Sequence, residues 1–232
     1  MTAGTVVLWR HGRTAYNASG RLQGQIDIPL DEIGTWQVEQ AAVELARRHT
    51  PTRVVASTLG RAIQTAQGLA ALTGVEVESD ARLCERAFGE WEGLSEQEIS
   101  VRWPEQHAVW QSGHDPLRTG AETRAEVAER FAAAVTELAG GMDRGETLVV
   151  VSHGAAISLG LTALLGLDAT AWRGLVGLHN AHWSVLRASR GDAVPAWRLE
   201  SHNRGPSVRV ADWDAGVPAE SLPSSTADAM RQ

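Results

Sequence analysis

Apolar residues fall along this chain in two periods. Short, almost unbroken runs, Val6 to Leu8, Val54 to Ser57 and Thr147 to Val151, each stop abruptly at polar residues. Runs of that length without alternation predict strands covered on both faces. Between them, apolar positions recur every three or four residues. Asp31 to His49 carries Ile33, Val38, Ala41, Ala42 and Leu45 at that spacing, and Glu122 to Ala139 carries Val127, Phe131, Val135 and Leu138. Both predict amphipathic helices. Further helices are predicted to open at Thr58 to Thr65 and after Gly154, through Ala155, Ala156 and Ile157. Strands alternating with helices predict an α/β fold, a three-layer α/β/α sandwich on a mostly parallel central sheet.

Two stretches break the pattern. Ser95 to Thr119 scatters Trp103, Pro104, Trp110 and Pro116 among charges, and predicts a short helix followed by a loop, an insertion at about 95–121. From Asn203 to Gln232 the chain turns to Ser, Pro, Ala and Asp, which predicts a tail that is either disordered or draped over the rest. The expected organisation is therefore one domain over 1–202 and a tail over 203–232.

The polar residues that end two of the strands carry chemistry. Trp9-Arg10-His11-Gly12-Arg13-Thr14 closes the first run and Ser152-His153-Gly154 closes the last, so one sheet edge receives both histidines. In open α/β sheets ligands bind at that carboxyl edge. Gly12 is expected to let the backbone turn sharply after His11, and Asn17 offers an amide to an anion. Arg61 lies in the first turn of the helix that follows Ser57, and Glu85 lies in the Gly-punctuated stretch Leu83 to Gly93. A neutral His11 can attack phosphorus through one ring nitrogen while the other donates to a backbone carbonyl. Arg10 and Arg61 are expected to keep it neutral, because a third positive charge nearby is disfavoured. Glu85 would protonate a leaving alkoxide, which requires a protonated carboxyl, favoured by partial burial and by a bound phosphate. Each motif alone has a bland alternative: a solvated strand end for Arg-His-Gly, a solvated turn for Glu85.

Together, Arg10, His11, Arg61, Glu85 and His153, in that order and context, resemble the histidine phosphatase superfamily from Val6 to about Arg198. The resemblance implies a phosphoglycerate mutase-like fold and hydrolysis of a phosphate monoester through a phosphohistidine. It implies catalytic roles for His11, Glu85 and His153, and phosphate contacts from Arg10, Asn17, Arg61 and His153. It also places the insertion over the active site. Mutases of the superfamily carry a Gly-Leu-Asn-Lys segment and a basic, Tyr-containing grip on the substrate carboxylate, whereas this chain reads Glu92-Gly93-Leu94-Ser95 with no paired Arg after it. Gly20 to Asp27, Trp172 to Leu175 and Asn180 to Trp183 look most like the actinobacterial branch that acts on glucosyl-3-phosphoglycerate, in which a Gln matching Gln23 reaches the phosphate. Other acid or sugar-phosphate phosphatases and a residual mutase stay open, as does a scaffold that merely binds a phosphorylated ligand. Binding alone would not need Glu85.

Composition narrows the partners. All 21 basic residues are Arg, so neither a Schiff-base nor a phosphate-loop lysine exists. A net charge of -7 speaks against nucleic acid and leaves a small phosphorylated substrate to be drawn by a local cluster, Arg10 with Arg61 and, as a further candidate, Arg13. No window of 18 apolar residues occurs and Met1 to Gly4 is short for a signal peptide, so a cytoplasmic protein without a membrane partner is expected. Cys84 stands alone and is expected to pack. No cofactor and no metal are expected, since His179 and His182, flanking Asn180 in a loop that feeds a strand, lack a carboxylate cluster. His49, His107 and His114 are expected on the solvated surface. Nine Trp mostly predict packing, with Trp91, Trp103 and Trp110 best placed to meet a sugar, and some exposed Trp favouring a homodimer.

Overall fold

The computed structural model describes residues 2–216. Strand β1 (Thr5–Arg10) is followed by the single turn α1 (Ala15–Ala18) and the long helix α2 (Glu32–His49). Then come β2 (Arg53–Ala56), α3 (Gly60–Thr73) and β3 (Val77–Ser79). The insertion forms α4 (Glu96–Arg102) and α5 (Pro104–Gln111) before α6 (Arg124–Ala139). Strand β4 (Thr147–Ser152), α7 (Gly154–Leu164), β5 (Trp183–Ala188), β6 (Trp197–Arg204) and α8 (Val210–Ala215) complete the described chain.

The six strands form one sheet in the order β3-β2-β4-β1-β5-β6. The first four of that order run parallel, β5 pairs antiparallel with β1 and β6 antiparallel with β5, so β5 alone runs against the rest, as the mostly parallel expectation required. Burial on both faces explains the unbroken apolar runs. Val6 and Leu8 of β1 with Leu148 and Val150 of β4 point into one core, beneath α6 and α7. Val7, Trp9, Val149 and Val151 point into the other, beneath α2 and α3. Helix starts follow local capping. Asp31 accepts from Gly34 N to open α2, and Thr123 with Glu126 forms a capping box on α6.

Adjacent strands β1 and β4 pair in register from Thr5↔Thr147 to Arg10↔Ser152. The chain leaves β1 for α2 on one face of the sheet and leaves β4 for α7 on the other. Connections that diverge to opposite faces open a crevice at the carboxyl ends, and His11 and His153 are the first residues in it.

Several expectations need correction. The insertion is two helices rather than one, because Pro104 can start a helix but not continue one, so the chain breaks at Trp103 and begins again. The boundary expected at 202/203 falls inside β6, which pairs as far as Arg204. After it, α8 drapes back over the domain and buries Trp213, while 217–232 of the expected tail lie outside the described residues. Gly12 does not adopt a left-handed turn. A Cβ there would sit 2.5 Å from Gly34 O and one at Gly34 would sit 2.0 Å from Arg13 O, so the glycines let α2 press against the end of β1. Trp91, Trp103 and Trp110 pack with Phe88 and Ile99 into a small satellite core under the insertion. Cys84 is buried as expected.

Candidate active site

His11 is buried, and its Nδ1 lies 2.6 Å from Gly12 O. A carbonyl can only accept, so Nδ1 carries the proton and Nε2 keeps the lone pair of a nucleophile. Burial, more than charge, holds His11 well below the ordinary histidine range; Arg61 and then Arg10 add to it, against the Gly12 carbonyl. The two arginines expected to keep the imidazole neutral both contribute, but burial, which the sequence did not offer, comes before them. The backbone of His11 is equally fixed. Its carbonyl accepts from Ala181 N at 3.0 Å and from Asn180 Nδ2 at 3.2 Å. Ala181 has φ +55°, a left-handed conformation that costs an alanine about 1–2 kcal/mol and lets it also receive the Trp9 indole N–H.

The second histidine stands 5.1 Å from the first, centroid to centroid. His153 Nδ1 is 3.2 Å from Arg61 Nε and Nε2 is 2.8 Å from Ser57 Oγ. A guanidinium only donates, so His153 accepts at Nδ1 and donates from Nε2 to Ser57. It too is buried and held well below the ordinary range, by burial first and Arg61 second. Arg61 is fully buried, its other arms donating to Ile26 O at 2.8 Å and Gly24 O at 2.7 Å. That cross-link ties α3 to the loop that carries Gln23.

Arg10, Asn17 and Gln23 present donors to the same space. Arg10 gives one nitrogen to Leu178 O at 2.5 Å, while its buried Nε has no partner among the described residues. Asn17 Oδ1 accepts from Thr14 and Asn180, which leaves Nδ2 free to donate. Gln23 Oε1 accepts from Thr14 Oγ1 at 2.8 Å, leaving its own Nε2. Arg13 differs. Its Nε pairs with Asp31 at 2.9 Å and its Nη1 donates to the Asp214 carbonyl at 2.7 Å, so it braces α2 against α8 while lining the cavity beside Arg10 and Asn17.

Glu85 reaches the crevice from the other side. Its Oε1 accepts from Arg86 N at 2.8 Å and Ala156 N at 2.9 Å, and its Oε2 accepts only from Ala155 N, at 3.2 Å. The carboxylate thus rests on the amino terminus of α7, next to His153, with Oε2 the less occupied oxygen. Sequence reasoning missed what holds it there. Arg130 donates to the carbonyls of Arg82, Cys84 and Glu85 at 2.7, 2.8 and 3.1 Å and pairs with Glu122. Gln25 also donates to Glu85 O, at 3.1 Å. An arginine directly before the core residue Phe131 on α6 was the available signal for Arg130; nothing local marked Ser57 as the partner of His153.

Of the remaining histidines, His107 is buried with Nε2 3.2 Å from Glu96 and His49 is half-buried, so neither is the freely solvated group expected. His179 and His182 stack on each other at 5.3 Å, and His182 stacks on Trp213. Among the described residues no group of three or more His, Cys, Asp or Glu is arranged to hold a metal ion, and no helix is long and apolar enough to cross a membrane.

Comparison with known proteins fits this geometry. The model of the histidine phosphatase superfamily, branch 1, matches residues 6–203. A glucosyl-3-phosphoglycerate phosphatase of Mycolicibacterium vanbaalenii is 37% identical over 218 residues, covering 88% of this chain and 96% of that protein. One from Mycobacterium tuberculosis is 36% identical over 222 residues, covering 90% and 98%. A solved mycobacterial glucosyl-3-phosphoglycerate phosphatase in complex with VO3 superposes with a TM-score of 0.78 at 37% identity, covering 87% of this chain and 99% of that one. With His11, His153, Arg10, Arg61 and Glu85 gathered at one sheet edge, the chain belongs to branch 1 of the histidine phosphatase superfamily and is a phosphoric monoester hydrolase.

Proposed function

We propose that hydrolysis runs through a phosphohistidine at His11 Nε2, with Glu85 as general acid and then base, and that the substrate is glucosyl-3-phosphoglycerate, released as glucosylglycerate and phosphate. The observation that carries the mechanism is the contact of His11 Nδ1 with Gly12 O, which commits the proton to Nδ1 and leaves the lone pair on Nε2. In the first step Nε2 bonds to phosphorus as the P–O bond to the alkoxide breaks, and the proton on Glu85 passes to that oxygen. In the second, Glu85 takes a proton from water, whose oxygen displaces the phosphoryl group from Nε2. The equatorial oxygens stay charged throughout, so Arg10 Nε, Arg61, Asn17 Nδ2 and Gln23 Nε2 act by fixed position and charge. His153 holds Arg61 Nε in line beside His11.

The substrate reading rests on the similarity to the mycobacterial enzymes over most of the chain. We further infer a cytoplasmic homodimer. The buried, unpaired Cys84 suits a reducing compartment, and Trp172 and Val176 are 37% and 67% exposed on one loop. Two measurements test the mechanism and the substrate. Brief reaction with radioactive substrate is expected to leave an acid-labile, base-stable label that disappears in His11→Ala; label on another residue overturns the mechanism. The value of kcat/KM for glucosyl-3-phosphoglycerate is expected to exceed those for 3-phosphoglycerate and p-nitrophenyl phosphate by about tenfold or more, roughly 1.4 kcal/mol of transition-state binding, and a flat profile overturns the substrate.

A further inference from the structure

The crevice is larger than a phosphate needs. A cavity of about 420 Å³ opens there, and its lining includes Arg10, Arg13, Asn17, His179, Asn180 and Asp214. That lining combines two arginines and amide donors with one carboxylate. An acidic side chain repels the anionic parts of a ligand, the glycerate carboxylate as well as the phosphate, from its own neighbourhood, but it suits the hydroxyls of a sugar, which can donate to it while accepting from neighbouring amides. Asp214 is near enough to Arg10 for its charge to act on that guanidinium.

Its position is built, not incidental. Trp213, the residue before it, is buried and donates its indole N–H to Asn180 O at 2.8 Å. The carbonyl of Trp213 accepts from Gln37 Nε2 at 2.9 Å, and the carbonyl of Asp214 accepts from Arg13 Nη1 at 2.7 Å. Main chain and neighbour are thus clamped by α2, by the Asn180 loop and by Arg13, while the Asp214 carboxylate itself is exposed at the cavity rim. The Asn180 that receives Trp213 also donates to Asn17 Oδ1 at 3.1 Å, so the phosphate-facing amide and α8 share one bridge.

We propose that Asp214 is a specificity-determining residue whose carboxylate accepts hydroxyl hydrogens from a neutral polyol, the sugar part of the substrate, in this outer compartment. The proposal rests on the reading of the substrate as a glycosylated phosphate ester and assigns the residue that reads the sugar. Asp214→Ala and Asp214→Asn are compared with the unaltered enzyme on glucosyl-3-phosphoglycerate, 3-phosphoglycerate and p-nitrophenyl phosphate. The ratio of kcat/KM for the glycoside to that for p-nitrophenyl phosphate is expected to fall at least tenfold in Asp214→Ala and less in Asp214→Asn, which keeps one acceptor oxygen. A preference for the glycoside that survives in Asp214→Ala overturns the proposal and leaves the substrate standing. An equal loss on all three esters also overturns it, because Asp214 then acts on phosphate binding. An unaltered enzyme that is indifferent to the sugar overturns both readings.

Discussion

The two sides of the crevice are built in opposite ways. The nucleophile side hangs directly on the central sheet: His11 and His153 follow paired residues of β1 and β4, and their partners are main chain or buried side chains. The acid side hangs on irregular chain between β3 and α4, and Glu85 is placed by tethers from elsewhere, Arg130 and Gln25 on its carbonyl and the amides that open α7 on its carboxylate. Strand ends can hold a nucleophile because neighbouring strands fix them through many ladder hydrogen bonds. A loop has no ladder, so the same precision must come from discrete side-chain tethers. The nucleophile side therefore tolerates loss of any one polar partner better than the acid side tolerates loss of Arg130.

Removing the acid should give the largest contrast. Glu85→Gln is expected to lower kcat on an alkyl phosphate by about 10²–10⁴-fold and to do far less on p-nitrophenyl phosphate, whose phenolate leaves unaided. An equal defect on both esters would place Glu85 outside proton transfer. Steady-state kinetics on the two esters makes the distinction.

Breaking the tether comes next. Arg130→Met keeps much of the stem but removes hydrogen bonds to three carbonyls and to Glu122. It is expected to cost about 1.5–3 kcal/mol of unfolding free energy in urea titration, the range for hydrogen bonds made by a charged group. Its kcat should fall more on the alkyl ester than on p-nitrophenyl phosphate, the signature of a displaced acid. Ser57→Ala, which removes the partner of His153 at the end of β2, is the matched control on the nucleophile side, and its kcat defect should be smaller than that of Arg130→Met and alike on both esters.

A last contrast lies in the pH dependence of stability. His11 and His153 are neutral in the folded protein, below the ordinary histidine range, whereas the unfolded chain takes up protons near pH 6.5. Unfolded chain therefore binds more protons as pH falls below about 6.5, and stability must drop with it, by up to about 1.4 kcal/mol per pH unit for each histidine. Stability contributed this way is fully present above that pH. Denaturant titration between pH 7 and 5 is expected to show the loss, with a shallower slope in His153→Asn. A slope unchanged by that substitution would mean that His153 is not the buried neutral group described here.

Much of the site was legible because chemistry and position coincide at strand ends. An apolar run that stops at Arg10-His11 or at Ser152-His153 announces both a buried strand and a polar group at its carboxyl edge. Glu85 was legible only as part of a pattern, since nothing in its own stretch says which way a loop turns. The insertion was half legible: Pro104 was seen as a breaker but also acts as a helix start. Arg13 was half legible, because an arginine beside a phosphate motif looks the same in sequence whether it only lines the cavity or also braces two helices.

What the sequence by itself determined is periodic or local: the α/β alternation, the two-faced strands, the helix caps and the identity of the nucleophile. These follow from burial and from hydrogen bonds within a few residues. Tertiary structure alone decided the rest: the choice of Nε2 as the free nitrogen, the burial that outweighs charge in keeping His11 neutral, the clamp of Arg130 on the Glu85 segment 45 residues away and that of Arg13 on Asp214 201 residues away. Such contacts leave no period in the chain, because their partners meet only after the sheet has brought distant segments to one edge.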